Sequence, residues 1–109
     1  MKLVERINSF INLGHFISGL NRGHSTYLNE YLSEFRSKIK EAEIKNKWFT
    51  EEYILHSLNI LSEQLSEKNL NAWINPYGLP DTEPSKRVLI VMAGNIPLVG
   101  FHDLISVII

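Results

Sequence analysis

Asn95 is the residue whose type and position could do chemistry. It follows Gly94 within KRVLIVMAGNIPLVGFHDLISVII, residues 86–109. A carboxamide at such a turn can donate a hydrogen bond to a developing negative charge, and the glycine beside it lets backbone approach a ligand closely. The alternative is structural, since Gly and Asn are also the residues a tight turn uses. Neither Gly94 nor Gly100 belongs to a G-x-G-x-x-G pattern, and no Gly-Lys-Ser/Thr follows. The two usual nucleotide fingerprints are therefore absent.

The elements that would position Asn95 lie on either side of it. Val88 to Met92 is an unbroken apolar run, which reads as a strand buried on both faces. Pro97 suits the first turn of a helix, where its missing N–H would be unpaired anyway. The stretch thus reads strand, turn, helix, and in open α/β sheets that turn lies where ligands bind.

The chain before it reads as about four helices. Leu3, Ile7, Phe10, Ile11, Ile17 and Leu20 recur at helical spacing over residues 2–20. Gly14 sits among them and predicts a close helix crossing or a kink. Asn21-Arg22-Gly23 is a stop signal. Ser25 or Thr26 can cap a second helix, carried by Tyr27, Leu28, Tyr31, Leu32, Phe35, Ile39 and Ala42, with Glu34, Lys38, Lys40, Glu41 and Lys45 on a solvated face. Thr50 caps a third helix with Glu51 and Glu52 in its first turn and Ile54, Leu55, Leu58, Leu61 and Leu65 inward. Trp48 and Phe49, just before the cap, suit a hydrophobic staple onto Tyr53 or Ile54. Ser66 caps a short helix with Leu70, Trp73 and Ile74 inward, ended by Asn75-Pro76-Tyr77-Gly78-Leu79-Pro80. Asp81 to Ser85 is a polar linker, so the chain divides into a helical region, 1–80, and the start of an α/β domain, 81–109.

VLIVMAGNIPLVGFHDLISVII resembles the glycine-asparagine turn of the acyl-CoA reductases that supply fatty aldehyde to bacterial luciferase, a branch of the aldehyde dehydrogenase superfamily. Asn95-Ile96-Pro97-Leu98 matches that superfamily's Asn-aromatic/aliphatic-Pro-Leu, and Ala93-Gly94 stands where aldehyde dehydrogenases commonly have Pro-Trp, as in the reductase branch. Asn46-Lys47-Trp48-Phe49-Thr50, and Trp73-Ile74 before Pro76-Tyr77, also look like that branch. The resemblance implies a dinucleotide-binding α/β domain beginning near residue 81. It implies NADPH as cofactor, or NADH, and an acyl-CoA or acyl-carrier thioester as substrate. Asn95 would be the oxyanion donor, and the backbone of Met92, Ala93 and Gly94 would face the cofactor.

Composition limits what these residues can do alone. The 109 residues contain no cysteine, so the thioester-forming nucleophile of such a reductase must lie elsewhere. The absence of cysteine also removes disulfides and thiolate metal sites. A net charge of −1, with acids and bases intermixed, gives no case for nucleic acid. No apolar run reaches the roughly 18 residues of a membrane span, and Lys2, Glu5 and Arg6 interrupt the start as a signal peptide's core would not. A cytoplasmic location is the expectation. His15, His24, His56 and His102 lack H-x-x-x-H spacing, and no nucleophile elbow is present. His102 falls about two turns past Asn95 and is expected to pack or face solvent.

Val107-Ile108-Ile109 breaks off within an apolar pattern, which suggests the N-terminal portion of a longer enzyme. A fragment of that kind should self-associate through residues 86–109. The competing expectation is a free-standing helical interaction module without catalytic activity.

Overall fold

The computed structural model describes residues 1–22, 29–82, 84–94 and 96–109. Its architecture is mainly helical: α1 (Leu3–Arg22), α2 (Asn29–Lys45), α3 (Glu51–Gln64), α4 (Glu67–Ile74), a 3-10 turn (Asn75–Tyr77) and α5 (Phe101–Ile108). No strand occurs among the described residues.

Capping residues place α3 and α4. Thr50 accepts a hydrogen bond from the Tyr53 N–H at 3.3 Å, and Ser66 accepts one from Asn69 at 3.4 Å. Each side-chain oxygen satisfies one of the donors that a helix start leaves unpaired. Between the two helices, the Leu65 N–H returns to the Leu61 carbonyl, and the Asn69 carboxamide donates to the Glu63 carbonyl at 2.8 Å. At the start of α1 the Lys2 N–H donates to the Glu5 carboxylate, and Leu3 donates to the Asp81 carbonyl at 3.0 Å.

The core forms where α1 lies along α3. Gly14 is the point of closest approach, as its place in the apolar pattern suggested. A Cβ there would stand 2.8 Å from Leu65 Cβ and 3.2 Å from the Leu65 carbonyl oxygen. Phe10, Ile17 and Leu20 of α1 meet Ile54, Leu58, Leu61 and Leu65 around it, with Leu65 only 2% exposed. Leu32 and Ile39 of α2, Leu70 and Ile74 of α4, and Ile105 of α5 complete the cluster. Burying each such aliphatic side chain contributes about 1.5–3 kcal/mol relative to leaving it exposed. Phe16 tilts against Phe35, and the Phe10 and Phe101 rings meet edge to face at 6.4 Å.

Several expectations need correction. Helix α1 runs on through Arg22, and the stop glycine Gly23, like the caps Ser25 and Thr26 and the apolar pair Tyr27 and Leu28, lies outside the described residues. Tyr31 is exposed although it falls on the apolar periodicity, and Leu32 takes the inward place. Trp48 is 84% exposed and staples nothing, while its neighbour Phe49 packs against the core.

The largest departure is in the last third. Val88–Met92 forms no strand, with Leu89 and Val91 at 89% and 87% exposure. A strand needs a ladder partner for its N–H and C=O groups, and none of the described residues supplies one. Pro97 does not start the final helix. Residues 97–100 form a turn in which Leu98 (φ 61°) and Gly100 (φ 83°) are left-handed, and α5 begins at Phe101. Two left-handed residues interrupt the helical path that Pro97 would otherwise open.

Candidate functional site

The residues singled out by the sequence lie on the segment that leads into α5. Asn95 lies outside the described residues. Met92 is half exposed and folds back over Gly100, where an added Cβ would stand 2.7 Å from Met92 Cγ. Ala93 and Gly94 are exposed, and no atom would lie within 4 Å of a Cβ built on Gly94. The backbone at Gly94 is thus open to approach. After Asn95, Val99 N–H donates to the Ile96 carbonyl at 3.3 Å and Phe101 N–H to the Leu98 carbonyl at 3.1 Å.

Pro97 and Leu98 also form one wall of a cleft of about 490 Å³. The opposite wall is a stripe of α3, Ser57, Ile60, Leu61 and Gln64, at i, i+3, i+4 and i+7. Leu65, Asn69, Leu70 and Trp73 continue it onto α4, and Gly100, Phe101, His102 and Ile105 close it from α5. At its edge the His102 imidazole stacks on the Trp73 indole, with ring centroids 5.1 Å apart and planes tilted by 50°. His102 is exposed and rests one face against Trp73. Apolar periodicity marks Leu61, Leu65, Leu70 and Trp73 as inward-facing. It did not reveal that Ser57, Ile60 and Gln64 share a face with them. The i, i+3, i+4, i+7 spacing was the available signal, masked because two of those four residues are polar.

No carboxylate, lysine or arginine lines the cleft. The Glu41 carboxyl is pulled down to about 2 by the hydrogen bond from Lys45, then by that from Lys38, with both ammonium charges adding to the effect. Lys38 is raised in turn, chiefly by its hydrogen bond to Glu41. All three belong to the exposed face of α2. Among the described residues no three His, Cys, Asp or Glu side chains come together as metal ligands would, and no helix is long and apolar enough to cross a membrane.

No protein family, no curated protein and no solved structure matches the chain.

Proposed function

We propose that the chain is the N-terminal portion of an NADPH-dependent acyl-CoA reductase, with NADH as the alternative cofactor, that reduces a fatty acyl thioester to an aldehyde. The observation that carries this reading is the residue pattern itself, an apolar run entering Ala93-Gly94-Asn95 and leaving through Ile96-Pro97-Leu98. The exposure of Leu89 and Val91 supports it, because a sheet in the complete enzyme would cover both. A dinucleotide-binding α/β domain beginning near residue 81 is part of the proposal.

In the mechanism, a thiolate from outside these 109 residues attacks the thioester carbonyl, since the chain has no cysteine. The tetrahedral intermediate collapses with loss of the CoA or carrier thiolate to an enzyme thioester, and hydride addition to that thioester releases the aldehyde and returns the enzyme thiolate. The Asn95 carboxamide donates a hydrogen bond to the oxyanion as negative charge develops on that oxygen. When bound, the nicotinamide cofactor would supply the hydride. The backbone at Met92, Ala93 and Gly94 would face it, and the open space at Gly94 suits such an approach.

In the complete protein, Asn95→Ala should lower kcat by roughly 10²-fold or more, as loss of an oxyanion donor does elsewhere. Unchanged turnover would remove Asn95 from the mechanism.

The second reading, a helical interaction module, draws on a different observation. Helices α1 to α4 bury a core among themselves, from Leu20 and Leu32 to Leu65 and Ile74, without help from any sheet. Intact mass in the native cell separates the two. A species several times heavier than 12.6 kDa favours the reductase, and one of 12.6 kDa favours the module.

A further inference from the structure

The cleft between α3, α4 and the turn before α5 has three properties that together define a ligand class. Its volume of about 490 Å³ falls within the roughly 300–1,000 Å³ of small-molecule sites. Its floor and walls are apolar, aliphatic at Ile60, Leu61, Leu65, Leu70, Leu98 and Ile105 and aromatic at Trp73 and Phe101. Its polar groups are hydroxyl, carboxamide and imidazole, from Ser57, Gln64, Asn69 and His102, with no carboxylate, lysine or arginine in the lining.

Three of these polar side chains are uncommitted. Asn69 spends its carboxamide on the Glu63 carbonyl. The Ser57 hydroxyl, the Gln64 carboxamide and the imidazole nitrogens of His102 make no hydrogen bond among the described residues. A ligand head group would therefore find donors and acceptors waiting at the edge and hydrocarbon behind them. A charged head would find no counter-charge, and desolvating an unpaired charge costs far more than desolvating a hydroxyl or amide that is hydrogen-bonded on arrival.

We infer that this cleft binds an uncharged aliphatic molecule with one hydrogen-bonding head, of the class of a medium-chain alcohol or primary amide. The head sits at the exposed edge beside His102, and the chain runs over Leu61, Leu65 and Leu70. The inference is independent of the reductase reading. It concerns a site built from α3, α4 and α5, and its test needs neither cofactor nor turnover.

Trp73 lines the cleft and serves as its reporter once the exposed Trp48 is replaced. In the Trp48→Phe chain, 1-octanol should shift Trp73 emission saturably. Octanoate and octylammonium, all three probes kept below their self-assembly concentrations, should need at least tenfold more for the same shift. Ile60→Glu, a half-exposed position on the cleft wall, should weaken the 1-octanol response at least tenfold. Ile44→Glu, an exposed position on α2, should leave it unchanged, and both variants should show the parent's circular dichroism spectrum. A linear response without saturation, equal potency of the charged probes, or indifference to Ile60→Glu would each overturn the inference. So would a response that still follows protein concentration once Leu89→Lys and Val91→Lys are added to keep the exposed run from pairing, which sedimentation would trace to a second copy occupying the cleft.

Discussion

At the scale of single residues, Gly14 weighs two opposed effects. Replacing a mid-helix glycine by alanine gains up to about 1 kcal/mol of helix propensity. Here the new Cβ would meet Leu65 Cβ at 2.8 Å and two carbonyl oxygens, of Leu65 and Ser62, at 3.2 and 3.3 Å. None of these is the end of a flexible side chain, so helices α1 and α3 must separate, and overpacking of this kind costs about 1–3 kcal/mol. Overpacking wins. Gly14→Ala should lower the thermal midpoint by several degrees, and Gly14→Val should lower it further, as read by circular dichroism melts. A Gly14→Ala chain that melts higher than the parent would show that the crossing is looser than these distances imply. The close approach was legible in the sequence because a lone glycine in an apolar stripe has few other uses. By contrast, nothing in the spacing marked Trp48 as exposed and Phe49 as its inward neighbour, because two adjacent aromatics before a cap satisfy the same rule.

Among the elements, α2 carries a pH dependence that follows from its solvated face. Glu41 accepts from both Lys38 and Lys45, and its carboxyl lies near 2 against an ordinary 4.5. A depressed carboxyl stabilises the folded state above its unfolded value, and that contribution fades as pH falls from 4.5 toward 2. Lys38 has the opposite sign. Its raised value favours folding below 10.5 and loses that contribution as pH climbs through the folded value. Lys38 is exposed and Glu41 half exposed, so the effect is small and should shrink with added salt. An acid titration of helicity at low salt should show Glu41→Gln losing less helix than the parent between pH 4.5 and 2. Identical titrations would mean that the two ion pairs contribute nothing measurable. The elements themselves differ in how openly the sequence announced them. Helices α3 and α4 are declared by local chemistry, with Thr50 and Ser66 bonding to residues three positions on. The start of α5 is not declared. Pro97 fits the first position of a helix and the second position of a turn equally well, because the same φ serves both. What decides between them is the left-handed backbone at Leu98 and Gly100, and a leucine gives no warning of that.

For the whole molecule, surface area is the telling quantity. The chain exposes 8334 Å², whereas a compact monomer of this mass would expose about 6,200 Å². Its radius of gyration is 15.4 Å against about 13 Å for a compact domain of this length. Val88, Leu89, Val91 and Ile96 are among the residues responsible, each more than half exposed. An apolar run so placed, with no strand partner among the described residues, is the kind of surface through which chains pair, and the expectation of self-association through residues 86–109 is open to direct test. Sedimentation should find a concentration-dependent dimer or larger species, and Leu89→Lys with Val91→Lys should return the chain to monomer. A parent chain that is monomeric at high concentration would refute this. The helical half of the molecule could be read ahead of its structure because its contacts are periodic and local. The fate of residues 88–92 could not, since whether an apolar run becomes a strand depends on a partner strand rather than on the run.

Pro97 and Leu98 belong at once to the wall of the cleft and to the chain that continues directly from the exposed run. If an event that seizes Val88–Met92, a neighbouring strand or a second copy, also moves that wall, the two ends of the segment share one free energy. A guest that fits the wall as it stands resists the capture of the run, and capture that moves the wall weakens the guest by the same factor.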